Sequence, residues 1–448
     1  MKVIIIGANA AGMSAASQIK RQEPEWDVMV LEKGSYISYA GCGIPYFVQG
    51  LVTDLDKLIT VTPDDALHKR GLNLKLHHEV TAIDPVINTV SVETPDGLIT
   101  ENFDRLIIAT GANPHQTSIE YKASKRILNA HRLDDAKNIR SLIESKQADK
   151  CAVIGGGYIA IEMLEALKKQ GLNTHMFHRR NDLSRNFEKE ISDIMLAEMD
   201  DEGIELHLNQ AVTRITGHNS EVELQTEKEK FIFDMAIVAT GVEPNSCLAQ
   251  DSGIEIGVKG AIRVNRFMQT NYDHIYAAGD CAETTNIITG EPQYLALALK
   301  ANKEGIVAGL NACGGNEEFP GVLGSAITKF FDLGIARTGL TLAEAENCGF
   351  EAIKFSITAN SRAHYYPGRS DVKIVLIAEK KEGRLLGAQM AGPVDGVKRI
   401  DVYATAITAE MNIDQIFELD LAYAPPFSPV YDPVVLSGRV GRKKIGSP

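Results

Sequence analysis

Cysteine is scarce and scattered in this 448-residue chain: Cys42, Cys151, Cys247, Cys281, Cys313 and Cys348 form no CxxC pair and no zinc-ligand spacing. That distribution argues against a disulfide framework and fits a reducing compartment, so a cytoplasmic location is expected. Basic charge is in deficit too: 46 Lys and Arg stand against 59 Asp and Glu, for a net charge of −13. With no basic stripe carrying interleaved aromatics, a nucleic-acid surface is excluded. No apolar run approaches the ~20 residues of a membrane span. The chain opens on a strand-like KVIIIG, so no signal peptide is expected. The short basic run Arg439, Arg442, Lys443 and Lys444 reads as a solvated tail. What remains is an ordinary globular composition, 44% apolar and 23% charged. Its length suits about two to four domains.

Glycine, in contrast, sits where a nucleotide would need it. KVIII reads as a buried strand, GANAAG (Gly7 to Gly12) as a turn into an alanine-rich helix, and DVMVLE as a second strand ending in Glu32. This is a dinucleotide fingerprint with one departure, Asn9 in place of the middle glycine. Glycines let the backbone approach a pyrophosphate at the helix N-terminus, and an acid at the end of the second strand holds a ribose. The pattern returns in CAVIGGGYIAIEMLEAL, with Gly155, Gly157 and Ala160, followed by the strand NTHMF. Here the strand ends not in an acid but in HRRNDLSR, which supplies His178, Arg179, Arg180 and Arg185. Arginines bind a ribose 2′-phosphate that an acid would repel, so the second site is expected to take NADPH, with NADH as the alternative.

Two nucleotide folds imply two dinucleotides, a flavin and a nicotinamide. RLIIATGANP and MAIVATGVEPN read as crossings on either side of the second unit, and HIYAAGDCAE places Asp280 after a strand, where it could accept from ribityl hydroxyls. From residue 323 onward, AITKFFDLGIA, EAIKFSITA, KIVLIAEKK and RLLGAQMAG look like antiparallel strands, KKEGR like a hairpin turn, and GVKRIDVYATAITAEM is helical in period. The expected fold is α/β. Two Rossmann-like domains, for FAD (1–112 and 244–322) and NAD(P)H (113–243), precede an α+β dimerisation domain (323–448).

Within SYAGCGIPYF, Cys42 stands alone; the position five residues on is Phe47. A single thiol can relay electrons only if a second sulfur comes from outside, carried as a mixed disulfide. Ser14, Gln18 and Arg21 fall on one face of the first helix and form a candidate substrate surface.

In SYAGCGIPY, YIAIE, AAGD, AHYYPG and LAYAPPFSPVYDP the chain resembles the pyridine nucleotide-disulfide oxidoreductases over nearly its whole length. It is most similar to the single-cysteine branch, and within it to the coenzyme A-disulfide reductases. The resemblance implies FAD, a two-electron relay through Cys42, a homodimer, and coenzyme A as a mixed disulfide on Cys42. It implies cofactor contacts at Ala11, Lys33, Val80 and Ala298 in addition to the residues above. It makes Tyr158 a gate over the nicotinamide, places Glu162 in the same pocket, and adds Ser38 and Arg70 to the substrate surface. Tyr365 and Tyr423 become proton donors reaching the other subunit's cysteine. Arg179 and Arg185 match the NADPH-binding pair of glutathione reductase. Ala10 stands where NADH oxidases and peroxidases carry a histidine. Gly41 and Tyr431 replace an asparagine and a lysine found in some coenzyme A-disulfide reductases. The expected activity is NADPH-dependent reduction of a small disulfide, first coenzyme A disulfide. The alternatives are a coenzyme A persulfide or polysulfide reductase, an NADH oxidase, and a redox-sensing flavoprotein acting through a partner.

Overall fold

The computed structural model describes residues 1–115, 118–122, 124–183 and 187–446. Two five-stranded parallel sheets dominate its first three hundred residues. In the first, the order is Ile275–Ala277, Arg105–Ile108, Lys2–Ile6, Asp27–Glu32 and Asn73–Leu76. Its central strands are continuous apolar runs because helices and a small meander cover both faces. The second sheet repeats the plan with Ile127–Leu128, Met235–Val238, Lys150–Ile154, Asn173–His178 and Glu205–Leu208. The two crossings run side by side as a short antiparallel pair, Ala112–Pro114 against Val242–Pro244.

Helix Ala298–Ala312 returns the chain to the first glycine turn by lying on helix Ala10–Gln22. Small residues permit the close approach: a Cβ on Gly305 would meet the Ala11 carbonyl oxygen at 2.2 Å, and one on Gly309 the Ala15 oxygen at 2.8 Å.

The last third forms a five-stranded antiparallel sheet in the order Ala326–Phe330, Leu333–Gly339, Leu385–Pro393, Asp371–Glu379 and Ala352–Asn360. The helical segment read from GVKRIDVYATAITAEM resolves into Val394–Val397 and Ile400–Thr408. The expectation of a solvated basic tail is corrected. Pro433–Ile445 is a helix whose Val434, Ser437, Gly438 and Gly441 are buried, and Arg442 pairs with Asp414 at 2.7 Å and Glu418 at 3.2 Å. Charge alone could not reveal the apolar stripe beneath it. Glu165 clamps the C-terminal sheet to the second Rossmann unit, pairing with Lys329 and accepting from the Phe331 N–H at 3.0 Å. Lys354 does the same with Glu188 and Glu190, each at 3.0 Å. Among the described residues no helix is long and apolar enough to cross a membrane.

Candidate active site

A cleft of about 1830 Å³ runs along the C-terminal ends of both parallel sheets, where open α/β folds place their ligands. Gly7 lines it with φ +100°, and a Cβ there would stand 2.2 Å from the Ala109 oxygen, so both conformation and space demand glycine. Asn9 tolerates a side chain because its φ is −105°, and its Oδ1 accepts from the Tyr39 N–H at 3.1 Å. Glu32 is held at the strand end by the Ala8 N–H at 2.9 Å and the Gly34 N–H at 2.7 Å. Ala11, Lys33, Asp280 and Ala298 share the cleft wall. Gly12 and Val80 do not line it: Gly12 packs on the Gly7 carbonyl, and Val80 is core in strand Glu79–Asp84.

Burial pushes the Asp280 carboxyl up, against the pull of Lys300, and its Oδ1 is buried without a hydrogen-bond partner. Such an oxygen fits a ligand hydroxyl. With the fixed Glu32 and the bare Gly7 turn, these residues suit an FAD ribityl chain, ribose and pyrophosphate. A buried ion pair missed by sequence reasoning supports the Asp280 turn. Lys300 and Glu304 pair at 2.9 Å with both side chains fully buried. Glu304 accepts from the Gly279 N–H at 3.0 Å, while Lys300 donates to the Gly279 and Ala282 carbonyls at 2.9 and 3.2 Å. Burial raises the Glu304 carboxyl to about 7. In sequence the pair looks like any i,i+4 pair on an exposed helix face; only the packing of that helix buries it.

The second turn reproduces the first. Gly155 has φ +138° and its Cβ would meet the Ala239 oxygen at 2.1 Å, whereas Gly157 faces nothing within 4 Å and leaves room for a ligand. Ala160 is buried beneath the turn rather than in the cleft. His178, Arg179 and Arg180 line the far end, both arginines exposed. Burial, then Arg180, holds the His178 imidazole below its usual range. Arg185 lies outside the described residues. Tyr158 lines the cleft, edge-on to Phe187 at 5.8 Å, its hydroxyl buried without a partner and its pKa pushed up to about 12 by burial.

Cys42 lies on a 3-10 turn, Gly41–Gly43, just before helix Ile44–Val48, and it is the one cysteine of the described residues on the cleft wall. A Cβ on Gly43 would lie 2.3 Å from a Leu58 methyl carbon, so the glycine lets Leu58 pack against the turn. Cys42 is accessible to solvent from the cleft, yet the enclosing walls desolvate its thiol. That desolvation raises its pKa, and the Glu162 carboxylate raises it further. Glu162 also lines the cleft and accepts from the Thr328 hydroxyl at 2.9 Å; burial pushes its own pKa up.

A second cavity of about 260 Å³ beside the first helix is lined by Ser14, Arg21, Ser38 and Arg70 of the expected substrate surface, together with Ser17, Thr60 and Asn302. Ala10 borders both cavities. Arg70 donates to Ser17 at 2.7 Å and Ser14 to Asn302 at 2.8 Å, so the cavity is pre-organised and cationic. Gln18 is not on its wall; it accepts from Arg21 at 2.8 Å and orients it. Ser38 holds a left-handed backbone, φ 43°, and its hydroxyl meets that of Thr60 at 2.8 Å. Asn302 comes from the returning helix, so no local pattern could have joined it to Ser14.

Tyr365 and Tyr423 lie together on the surface, and desolvation followed by Tyr365 raises the Tyr423 pKa. Both are exposed, at 65% and 46%, and neither lines the Cys42 cleft of its own chain.

Residues 1–305 match the family model for pyridine nucleotide-disulphide oxidoreductases, and residues 325–433 match the dimerisation domain of the same family. The NAD(P)H coenzyme A polysulfide/persulfide reductase of Pyrococcus horikoshii is 42% identical over 98% of this chain and 98% of its own. The coenzyme A disulfide reductase of Staphylococcus aureus is 31% identical over 98% of this chain and 99% of its own. The solved NAD-dependent persulfide reductase from A. fulgidus superposes with a TM-score of 0.96 at 36% identity, covering all of this chain and 84% of that one.

Proposed function

The chain belongs to the pyridine nucleotide-disulphide oxidoreductases, enzymes that use FAD and NAD(P)H, and from that premise we propose that it passes electrons from NADPH through Cys42 to the sulfur–sulfur bond of a coenzyme A-type substrate. The carrying observation is that Cys42 shares one cleft with both glycine turns and no partner cysteine, while Ala10 connects that cleft wall to a cationic second cavity. Bound FAD supplies the two-electron step between the nicotinamide and the sulfur. Gly7, Glu32, Lys33 and Asp280 bind and orient it on one side, and Gly155, Gly157, His178 and Arg179 hold the nicotinamide nucleotide on the other. Tyr158 covers the nicotinamide side and excludes water. Ser14, Arg21, Ser38 and Arg70 hold the phosphate-bearing part of the substrate, oriented by Gln18, Ser17 and Asn302.

The Cys42 thiolate attacks one sulfur of the substrate disulfide, expels the other half as a thiolate, and keeps the first half as a mixed disulfide. Two electrons then break that bond, regenerating the Cys42 thiolate and releasing the retained half as a second thiolate, which takes up a proton. Tyr365 and Tyr423 of one subunit donate protons at the Cys42 of the other. An unperturbed tyrosine, near ~10, stays protonated at neutral pH, and the raised Tyr423 pKa works in the same direction.

A second reading, coenzyme A persulfide or polysulfide as the substrate, is favoured by the higher identity to the Pyrococcus horikoshii reductase. The mass of the adduct on Cys42 in purified protein, together with NADPH oxidation by coenzyme A disulfide and by coenzyme A persulfide, separates the two. Sulfide release with the persulfide and no turnover of the disulfide would select the second. Cys42→Ser should keep FAD and flavin reduction but lose disulfide turnover; surviving turnover would remove Cys42 from the mechanism.

A further inference from the structure

On the second parallel sheet, away from the cleft, strands Asn173–His178 and Glu205–Leu208 pair in a register that sets His175 opposite Glu205 and Phe177 opposite His207. The alternation of a strand then puts His175, Glu205 and His207 on one face. One ligand atom from each lies within 4.8 Å of those of the other two. His175 Nδ1 stands 3.0 Å from His207 Nε2, and the rings are nearly coplanar, 9° apart, so the pair shares a proton along that line. The other nitrogen, His175 Nε2, lies 3.3 Å from Glu205 Oε2 but makes no hydrogen bond, although the side chain is 3% exposed. His175 thus presents Nδ1 to the second imidazole and Nε2 to the carboxylate, with Nε2 buried and left without a hydrogen bond, which is costly.

We propose that His175, His207 and Glu205 bind a divalent transition metal of the zinc class, with His175 contributing one ring nitrogen and water completing the shell. Tetrahedral zinc with Zn–N near 2.0–2.1 Å holds its ligand atoms about 3.4 Å apart. His207 Nε2 lies 3.0 Å from His175 Nδ1 and 3.6 Å from Glu205 Oε1, close to that spacing, and one ligand atom from each of the three residues lies within 4.8 Å of the others. The metal would take the place of the proton shared between the rings. Phe177 fixes the His207 ring by stacking at 4.2 Å, and Phe233 meets His175 edge-on at 4.9 Å. Lys150, drawn over the Phe233 ring at 4.9 Å, opposes added positive charge, whereas Glu205 and Glu229 favour it. Glu205 is 59% exposed and His207 11%, which gives the ion a path from solvent. The bound ion would staple the strand ending in the nicotinamide-site His178 to its outer neighbour.

The test is zinc titration of the FAD-loaded enzyme against a chromophoric chelator, after N-ethylmaleimide blocks the accessible thiols. The expected result is one tightly held zinc per chain. His207→Ala should abolish it, and Glu205→Gln should weaken it at least ten-fold. Both positions are nearer the surface than His175, so the variants should fold, which FAD content and NADPH-dependent flavin reduction verify. No stoichiometric zinc in the alkylated wild type, or a zinc retained by the His207→Ala/Glu205→Gln double variant, overturns the site.

Discussion

The two glycine turns are close to copies in backbone and opposites in charge. In each, the first glycine takes a positive φ, donates its N–H to the neighbouring strand (Gly7 to Leu31 at 2.8 Å, Gly155 to Phe177 at 3.0 Å), and lies where a Cβ would strike a carbonyl of the next strand. That requirement is steric and shared. They part at the end of the second strand. Glu32 is pinned by two backbone amides, whereas His178 is depressed by burial and the arginines beside it are free to reach solvent and cleft. The lesson is that one backbone device is used twice, while the strand ends beside it differ in charge, and the proposed preference for NADPH rests on that difference.

The sharpest way to break this symmetry is to deny one turn its glycine. Gly7→Ala forces a Cβ into the Ala109 carbonyl from a φ that side chains avoid, and the purified protein is expected to lose FAD altogether. Gly155→Ala meets the same clash against Ala239, yet the yellow holoenzyme should survive and only nicotinamide-dependent flavin reduction should fall. Flavin absorbance of the two purified variants decides it; equal FAD content would mean the turns do not serve separate nucleotides.

A smaller effect tests the charge reversal. Hydrogen bonds to a charged group are worth ~1.5–3 kcal/mol, so Arg179→Ala should weaken NADPH about ten- to hundred-fold and leave NADH nearly unchanged. Stopped-flow flavin reduction with each nucleotide measures this. Equal losses, or a native enzyme that already uses both alike, would sink the 2′-phosphate reading.

The smallest effect lies where the two units meet, at Cys42. Desolvation raises its pKa first and Glu162 second, so native alkylation by iodoacetamide should increase with pH beyond the range of an ordinary thiol. Glu162→Gln removes the second cause, lowers the Cys42 pKa, and should shift the alkylation profile to lower pH. An unmoved profile would show that the carboxylate does not act on the thiol.

A mixed-subunit experiment extends the comparison from one chain to two. Combining Cys42→Ser subunits with Tyr365→Phe/Tyr423→Phe subunits should return about half of wild-type turnover per mixed dimer, because one of its two sites then carries neither lesion. No recovery after verified exchange would remove the shared site.

Much of this was legible in the chain because the informative signals were local. GANAAG and GGGYIA lie between strand-like runs, and an acid or an arginine at a strand end is read without knowing what packs on it. A lone cysteine between glycines, with Phe47 where a partner would stand, announces its isolation in ten residues. Tertiary structure alone decided what depends on distant segments meeting. It buried Lys300 and Glu304, an unremarkable helical pair, beneath the Asp280 turn, and it brought Asn302 against Ser14 through Gly305 and Gly309. It turned a basic C-terminal run into a packed helix, and it set His175 beside His207 by strand register. The physical reason is the same in each case: sequence fixes what a backbone can do over a few residues, whereas burial, and with it the desolvation of a charge, exists only once remote surfaces exclude water between them.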